Sequence, residues 1–180
     1  MGIKSTVVFT DLHGSTGAFG ALGNARATVV ITQILDQITA LVYAHQGQLV
    51  KKLGDGVMAV FGQPGKALDF AVQVQRVHSR HLYNFELRVS LPVKIGIAFG
   101  DTEFTAGDYY GDAVNVAARL CDLAGPSQIW ASKGSVDVLT LKKGVSVRAV
   151  GNIAIRGRSE NCEVLQVEWK EDEQSDFLKM

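Results

Sequence analysis

The chain has 180 residues, of which 47% are hydrophobic and 20% are charged, and its formal net charge is +0. A chain of this length is the size of one domain and can bury about 70% of the surface it exposes when unfolded. A zero net charge excludes a global field that would draw in nucleic acid or an anionic membrane. A small ligand held by a few local charges is therefore favoured over a polymer.

The cysteines and the hydrophobic segments predict a cytoplasmic protein. Cys121 and Cys162 form neither a metal-binding spacing nor a disulfide framework, which is typical of a reduced compartment. Residues 1–20 lack the charged and apolar regions of a signal peptide. The longest apolar stretch, residues 27–44, is interrupted by three polar side chains, so it predicts a buried helix and no membrane segment.

Hydrophobic periodicity and turn residues predict the elements in chain order. They are a strand at 5–12, a helix at 25–45, strands at 48–53 and 57–61, a helix at 67–82, a strand at 92–104, a helix at 111–123, a strand at 128–132, a short helix at 136–141, and strands at 145–155 and 163–169. Gly47 is the expected C′ residue of the first helix, and Asp-Gly at 55–56 predicts a hairpin. This order predicts an α+β fold with a ferredoxin-like βαββαβ core, a mixed sheet and additional C-terminal α/β elements. We expect one domain over residues 1–169 and a polar, frayed tail over 170–180.

Two aspartates stand at the ends of β-like runs, next to glycine. Asp11 follows the first strand, and Asp55 lies in the hairpin that should pair beside it. Either residue alone is also typical of an ordinary turn. Brought together, the two carboxylates would repel each other unless cations neutralised them. A pair of divalent cations held in this way is suited to in-line displacement at phosphorus, so the chemistry is expected on a nucleotide.

Two further segments carry polar groups near a helix start. Gly14, Ser15 and Thr16 open a helical region whose backbone N–H groups could cradle a phosphate, although an ordinary helix start has the same composition. Asn115 and Arg119 are four residues apart and therefore share one helix face. That pair could bind phosphate and sugar oxygens, or it could be a solvated face.

Three segments, 9–16, 50–61 and 108–120, together resemble the catalytic domain of the class III nucleotidyl cyclases, the adenylyl and guanylyl cyclases. The similarity runs from about residue 7 to 167, with the elements in the expected order. It implies the cyclase homology fold and a head-to-tail homodimer with two catalytic sites at its interface. It also implies ATP as substrate and two divalent cations, Mg²⁺ or Mn²⁺, as cofactors. The zero net charge predicts no nucleic-acid partner.

The resemblance also implies a role for each matching residue. Asp11, Asp55 and the backbone carbonyl of Leu12 would hold the metals. Lys51 and Asp108 would read the adenine edge, a pair typical of adenylyl cyclases, because adenine offers an acceptor at N1 and a donor at N6. Asn115 would orient the ribose and Arg119 would stabilise the transition state. The remaining expected substrate contacts are Phe9, Gly14, Ser15, Thr16 and Arg156.

The resemblance leaves several questions open. The segment 101–107 is shorter than the corresponding arm of many family members and contains no Arg or Lys. The candidates for the basic residue that binds the triphosphate are therefore Arg156 and, in the same segment, Arg158. Such domains usually follow a regulatory module, so the chain is either a stand-alone cyclase or a catalytic fragment. The alternatives to an adenylyl cyclase are a guanylyl or relaxed purine cyclase, and an ATP-binding dimerisation or sensor module without catalysis.

Overall fold

The computed structural model describes residues 2–80, 83–84 and 89–170. Within them the strands are β1 (Ile3–Leu12), β2 (Gln48–Leu53), β3 (Gly56–Phe61), β4 (Tyr83–Asn84), β5 (Val89–Ser90), β6 (Val93–Thr105), β7 (Asp108–Tyr110), β8 (Ile129–Ser132), β9 (Ser146–Ile153) and β10 (Cys162–Glu168). The α-helices are α1 (Ser15–Leu22), α2 (Asn24–Ala44), α3 (Pro64–Ser79) and α4 (Asp112–Leu123). The predicted tail beyond residue 170 and the predicted helix end at Leu82 lie outside the described residues.

The main sheet has eight strands in the order β2-β3-β1-β6-β8-β10-β9, and β7 pairs with the far end of β6. Within it, β6-β1-β3-β2 is the strand order of a ferredoxin-like core, and these neighbours pair antiparallel. The β6–β8 pair is parallel, so the sheet is mixed. The predicted α+β fold with a ferredoxin-like core is confirmed, and β8, β9 and β10 are its C-terminal additions.

Each face of the sheet carries its own hydrophobic core. The first core lies under α2 and α3 and contains, among others, Ile31, Phe61, Phe70 and Ile95. The second lies under α4 and includes Met58 and Leu120. β3 is buried along its whole length because it has a core on both faces.

Glycine at position 96 allows α4 to lie close to the sheet. A Cβ on Gly96 would stand 2.2 Å from the carbonyl oxygen of Ala117 and 2.3 Å from the backbone nitrogen of Cys121. No side chain fits into that space, so the close approach of α4 to β6 depends on glycine. This contact fixes how far α4, and therefore its exposed face, stands from the sheet.

The C-terminus of α2 differs by one residue from the prediction. The left-handed residue is Gln46, with φ 61°. Its N–H donates to Tyr43, and the N–H of Gly47 donates to Val42 at 2.9 Å, which is a Schellman motif with Gln46 at C′. Gly47 is needed for a different reason, because a Cβ there would lie 2.4 Å from the ring of Phe61.

The remaining differences concern short elements. The prediction of a short helix at 136–141 is wrong. Two 3₁₀ turns, Lys133–Ser135 and Val138–Thr140, occupy this region. The Asp137 carboxylate accepts from the N–H of Leu139 at 3.0 Å, a local bond that competes with an α-helix. α1 is separated from α2 by Gly23, and β4, β5 and β7 are additional strands.

One helix among the described residues, α2, is long and apolar enough to cross a membrane by length and composition. It packs against α1, α3, β2 and β3, and its buried residues recur at helical spacing on one face. A core helix of this kind passes the same test of length and composition.

Candidate active site

Asp11 and Asp55 come together at the edge where β1 ends and the β2–β3 hairpin turns. Asp11 is opposite Gly56 in the register of β1 and β3, and the N–H of Leu12 donates to the carbonyl of Asp55 at 3.1 Å. The hydroxyl of Thr10 accepts from the N–H of Val57 at 3.1 Å. These bonds fix the hairpin turn against the end of β1.

Gly56 sets how closely the hairpin can approach. A Cβ at this position would lie 1.9 Å from the carbonyl oxygen of Thr10, so any larger residue would push β3 away from β1. The preceding Gly54 has φ 64°, in the left-handed region, at the first position of the two-residue turn. The two glycines therefore have separate tasks, one in the turn and one in the strand contact that brings Asp55 to Asp11.

The proximity of the carboxylates changes their acidity. The pKa of Asp11 is raised to about 6, first by burial and then by the hydrogen bond and the negative charge of Asp55. Lys94 acts in the opposite direction and lowers the pKa of Asp11, but it does not cancel the rise. Asp11 thus keeps its proton to a higher pH than an isolated aspartate does, even though Lys94 lies beside it.

Lys94 is a site residue that the sequence analysis did not identify. It is opposite Asp11 in the register of β1 and β6, its side chain is only 15% exposed, and Nζ lies 3.9 Å from Oδ2 of Asp11. Nζ also donates to the carbonyl of Asp122 at 3.2 Å. No local sequence signal identifies Lys94, because only the register of β1 against β6 places this lysine beside the aspartate.

Ser15 begins α1, and its hydroxyl donates to the Asp55 carboxylate. Asp11, Asp55, Ser15 and Lys94 are called the carboxylate cluster below. The other residues predicted here lie around it: Gly14 precedes α1 with φ 84°, Thr16 is exposed on the first turn of α1, Phe9 is half-buried two residues before Asp11 on β1, and Leu12 is buried. Substrate contacts from these residues, and metal ligation by the Leu12 carbonyl, stay predictions.

Lys51 and Asp108 form a second polar group, on β2 and β7. Nζ of Lys51 donates to Oδ2 of Asp108 at 2.5 Å, and the hydroxyl of Tyr109 donates to Gln48 at 3.4 Å. These contacts tie the β6–β7 hairpin to strand β2. The hydrogen bond from Lys51 lowers the pKa of Asp108, with a further bond from the N–H of Tyr109. The structure therefore brings Lys51 and Asp108 together as an ion pair, and their contacts with the adenine edge stay a prediction.

Asn115 and Arg119 lie on the exposed stripe of α4, together with Asp112 at the start of the helix. Asn115 and Arg119 follow Asp112 by three and seven residues, a spacing that puts all three on the same face of an α-helix. Within the described residues neither Asn115 nor Arg119 has a side-chain hydrogen bond or ion pair. The four residues Lys51, Asp108, Asn115 and Arg119 are called the recognition cluster below.

The two clusters have no polar contact with each other within the part of the chain that the structure describes. Among residues 2–80, 83–84 and 89–170, no hydrogen bond or ion pair joins the carboxylate cluster to the recognition cluster. Arg156 is exposed in the turn after β9, and Arg158 pairs with Asp112 at 3.3 Å. The late basic segment therefore approaches the side of α4 that bears the recognition cluster.

The carboxylate cluster suits a hard divalent cation. Two aspartates with oxygen donors match the ligands of Mg²⁺, which is usually bound through one or two carboxylates and completed by phosphate oxygens and water. No group of three or more His, Cys, Asp or Glu gathers among the described residues, so a protein-only metal cage is not formed there. Burial and the neighbouring Asp55 raise the pKa of Asp11, and a dication bound between the two carboxylates would offset both effects and favour their ionised forms.

Comparison with known proteins gives consistent matches. The family described as the adenylate and guanylate cyclase catalytic domain matches residues 4–168. An uncharacterized protein of Mycobacterium tuberculosis is 36% identical over 132 residues, 73% of this chain and 33% of that protein. An adenylate cyclase of Streptomyces coelicolor is 32% identical over 121 residues, 67% of this chain and 30% of that protein. The matched region is thus about a third of the length of these relatives.

The crystal structure of an adenylate/guanylate cyclase/hydrolase from Silicibacter pomeroyi has a similar fold. Its TM-score is 0.77 at 25% sequence identity, covering 93% of this chain and 98% of that chain.

Proposed function

The chain belongs to the adenylate and guanylate cyclase catalytic domains of class III, and from this premise we propose that it converts ATP to 3′,5′-cyclic AMP and pyrophosphate. The Lys51–Asp108 pair supports ATP over GTP. Adenine presents an acceptor at N1 and a donor at N6, which a lysine and an aspartate complement. Guanine has the opposite polarity at both positions, and each mismatched buried contact costs roughly 1–3 kcal/mol.

The observation that carries the proposed chemistry is the convergence of Asp11 and Asp55. When bound, two divalent cations would activate the ribose 3′-hydroxyl and neutralise the triphosphate. The O3′–Pα bond forms while the bond from the α-phosphorus to the bridging oxygen breaks. The hydroxyl proton passes to water, and pyrophosphate leaves.

The protein side chains position the nucleotide and stabilise developing charge. In our proposal Asp11 and Asp55 hold the cations. The positive charges of Lys94 and Arg156 bind the negatively charged triphosphate. Asn115 orients the ribose so that the attack is in line. Arg119 donates to the oxygens that gain negative charge in the transition state, where its fixed fork is suited to phosphate.

We propose that each site is shared between two copies of the chain in a head-to-tail homodimer. The separation of the carboxylate cluster from the recognition cluster in one chain supports this arrangement, because catalysis requires both on one nucleotide. A dimer in which each subunit has both clusters would contain two complete sites. The predicted cytoplasmic location remains part of this proposal.

The test is cyclic nucleotide formation from ATP and from GTP, with Mg²⁺ and with Mn²⁺, over a range of protein concentrations. We expect cyclic AMP to form faster than linearly with protein concentration, because an active site needs two chains. Faster turnover of GTP than of ATP would overturn the proposal that Lys51 and Asp108 select adenine. Metal-dependent ATP binding without pyrophosphate release, in a confirmed dimer, would favour the sensor module.

A further inference from the structure

The segment between β9 and β10 forms a tight turn that presents Arg156. The N–H of Arg158 donates to the carbonyl of Ile155 at 3.1 Å, closing a four-residue turn. Gly157 has φ 88° at its third position, as a type II turn requires. Arg156 therefore stands at the tip of a turn whose backbone is defined by the residues on both sides.

Both ends of this turn are attached to α4. Ile155 is only 5% exposed and packs in the core under α4, which contains Ala113 and Val116. At the other end, Nε of Arg158 lies 3.3 Å from Oδ1 of Asp112, the first residue of α4. An apolar contact and an ion pair thus hold the turn at its two ends.

The helix surface reached by the turn is the surface that carries Asn115 and Arg119. The exposed stripe of α4 begins at Asp112, and both residues lie on it one and two turns further along. In addition, the N–H of Asn115 donates to the carbonyl of Gly111 at 3.2 Å. A contact at Asp112 therefore acts on the start of the same rigid element that positions the recognition cluster.

We propose that Arg158 is a positioning residue whose ion pair with Asp112 holds the turn bearing Arg156 against the first turn of α4. The inference rests on the proposed function, since it assumes that Arg156 contacts the triphosphate. Arg158 itself then has no contact with the substrate. Its charge is already engaged by Asp112, whereas Arg156, among the described residues, has no ion pair and remains available for an anion.

The first test is a double-mutant cycle on kcat/KM for ATP. Arg158→Gln keeps a polar side chain but loses the ion pair, and we expect about a three- to fivefold reduction, as for the loss of an exposed ion pair. In the Arg156→Ala background the same change at Arg158 should have no further effect, because its role acts through Arg156. Additive effects would overturn the proposal.

Two variants distinguish positioning from general stability. The charge swap Asp112→Arg with Arg158→Asp restores the pair and should recover most of the lost kcat/KM. Lys133→Gln is the matched control, since it removes another exposed ion pair, with Glu163 at 3.0 Å, that lies outside the turn. We expect the control to retain wild-type kcat/KM; a loss equal to that of Arg158→Gln would contradict a specific role.

A readout independent of activity separates this inference from the proposed function. Amide hydrogen exchange at position 158 and at Asn115, each corrected for the intrinsic rate of its residue type, should be at least about threefold faster in Arg158→Gln than in the wild type. Unchanged exchange would overturn the inference even if the enzyme is a cyclase. Faster exchange in a protein that makes no cyclic nucleotide would leave the positioning contact established and reject only the proposed function.

Discussion

Lys51 and Asp108 are 57 positions apart in the chain, yet Nζ of the lysine and Oδ2 of the aspartate are 2.5 Å apart. Four residues after Lys51, Asp55 turns to a different partner, the hydroxyl of Ser15. A residue within strand β2 and a residue in the turn that follows it thus belong to two different polar clusters. This division explains how a short hairpin can supply one group for base recognition and another for cation binding.

The first prediction concerns the choice of nucleotide. The double variant Lys51→Glu with Asp108→Cys removes both groups that complement adenine, so the ratio of kcat/KM for ATP over GTP should fall by at least about tenfold, the equivalent of one lost polar contact. Steady-state rates with each nucleotide measure this ratio.

The matched control for the specificity variant is Lys52→Glu. Lys52 is adjacent but pairs with Asp36 at 2.8 Å on the exposed side of the strand. We expect this variant to keep the wild-type ratio. An unchanged ratio in the double variant, with its fold intact, would place base recognition elsewhere.

The second prediction is that Asp11→Asn stabilises the cation-free protein. The folded pKa of Asp11 is about 6, above its ordinary value of 3.8, so its ionisation lowers stability as pH rises through that interval, and the cost is complete above it. The variant should therefore melt higher at pH 8, in the presence of a chelator, by about 2–4 °C, the shift for roughly 1 kcal/mol in a chain of this size. This modest value allows for solvent screening of a carboxylate that is 39% exposed.

The pH dependence is the specific part of this result. Near pH 4 the folded carboxyl is protonated in the wild type, so the melting temperatures of wild type and variant should converge. Asp101→Asn serves as the control, because that side chain is 73% exposed and should give little difference at either pH. If the melting temperatures of Asp11→Asn and the wild type differed as much at pH 4 as at pH 8, the stabilisation could not arise from the ionisation of Asp11.

The fold follows from local patterns, whereas the site depends on sheet register. The ferredoxin-like order could be predicted because alternating strands and amphipathic helices are encoded over short windows. The role of Lys94 could not be predicted, because its position beside Asp11 arises from the pairing of β6 with β1, which no local pattern specifies. The sequence predicts Gly47 at the C′ position of α2 but cannot show that the Phe61 ring leaves no room for a Cβ there, because the neighbours of Gly47 in the sequence do not reveal tertiary contacts. The ion pair of Arg158 with Asp112 is non-local in the same sense.

The third prediction assigns Lys94 to triphosphate binding. The Lys94 side chain is only 15% exposed and its ammonium lies beside Asp11. Lys94→Gln should therefore weaken binding of pyrophosphate, measured as product inhibition, by about 10- to 100-fold, as expected for a charge-assisted hydrogen bond. Inhibition by adenosine, which has no phosphate, should be unaffected. Equal weakening of both inhibitors would indicate a general disruption of the site.

Lys4→Gln is the control for Lys94. Lys4 lies on the same strand as Asp11 but is 65% exposed and pairs with Asp101 at 3.4 Å. Its loss removes the same charge from the protein without altering the carboxylate cluster. We therefore expect wild-type inhibition by pyrophosphate and by adenosine.

The fourth prediction tests whether two chains share each site. Asp55→Ala inactivates the carboxylate cluster of its chain and Arg119→Ala inactivates the recognition cluster, so neither variant should turn over ATP alone. In a head-to-tail heterodimer one site combines both defects, and the other receives an intact cluster from each chain. With random mixing, half of the dimers are heterodimers with one working site, so activity should return to about a quarter of the wild-type level.

Mixing Asp11→Ala with Asp55→Ala is the control and should restore nothing, because both changes affect the same cluster. Failure of the first mixture, with heterodimers confirmed by differential tagging, would contradict shared sites and require both clusters of one chain to act on the same nucleotide.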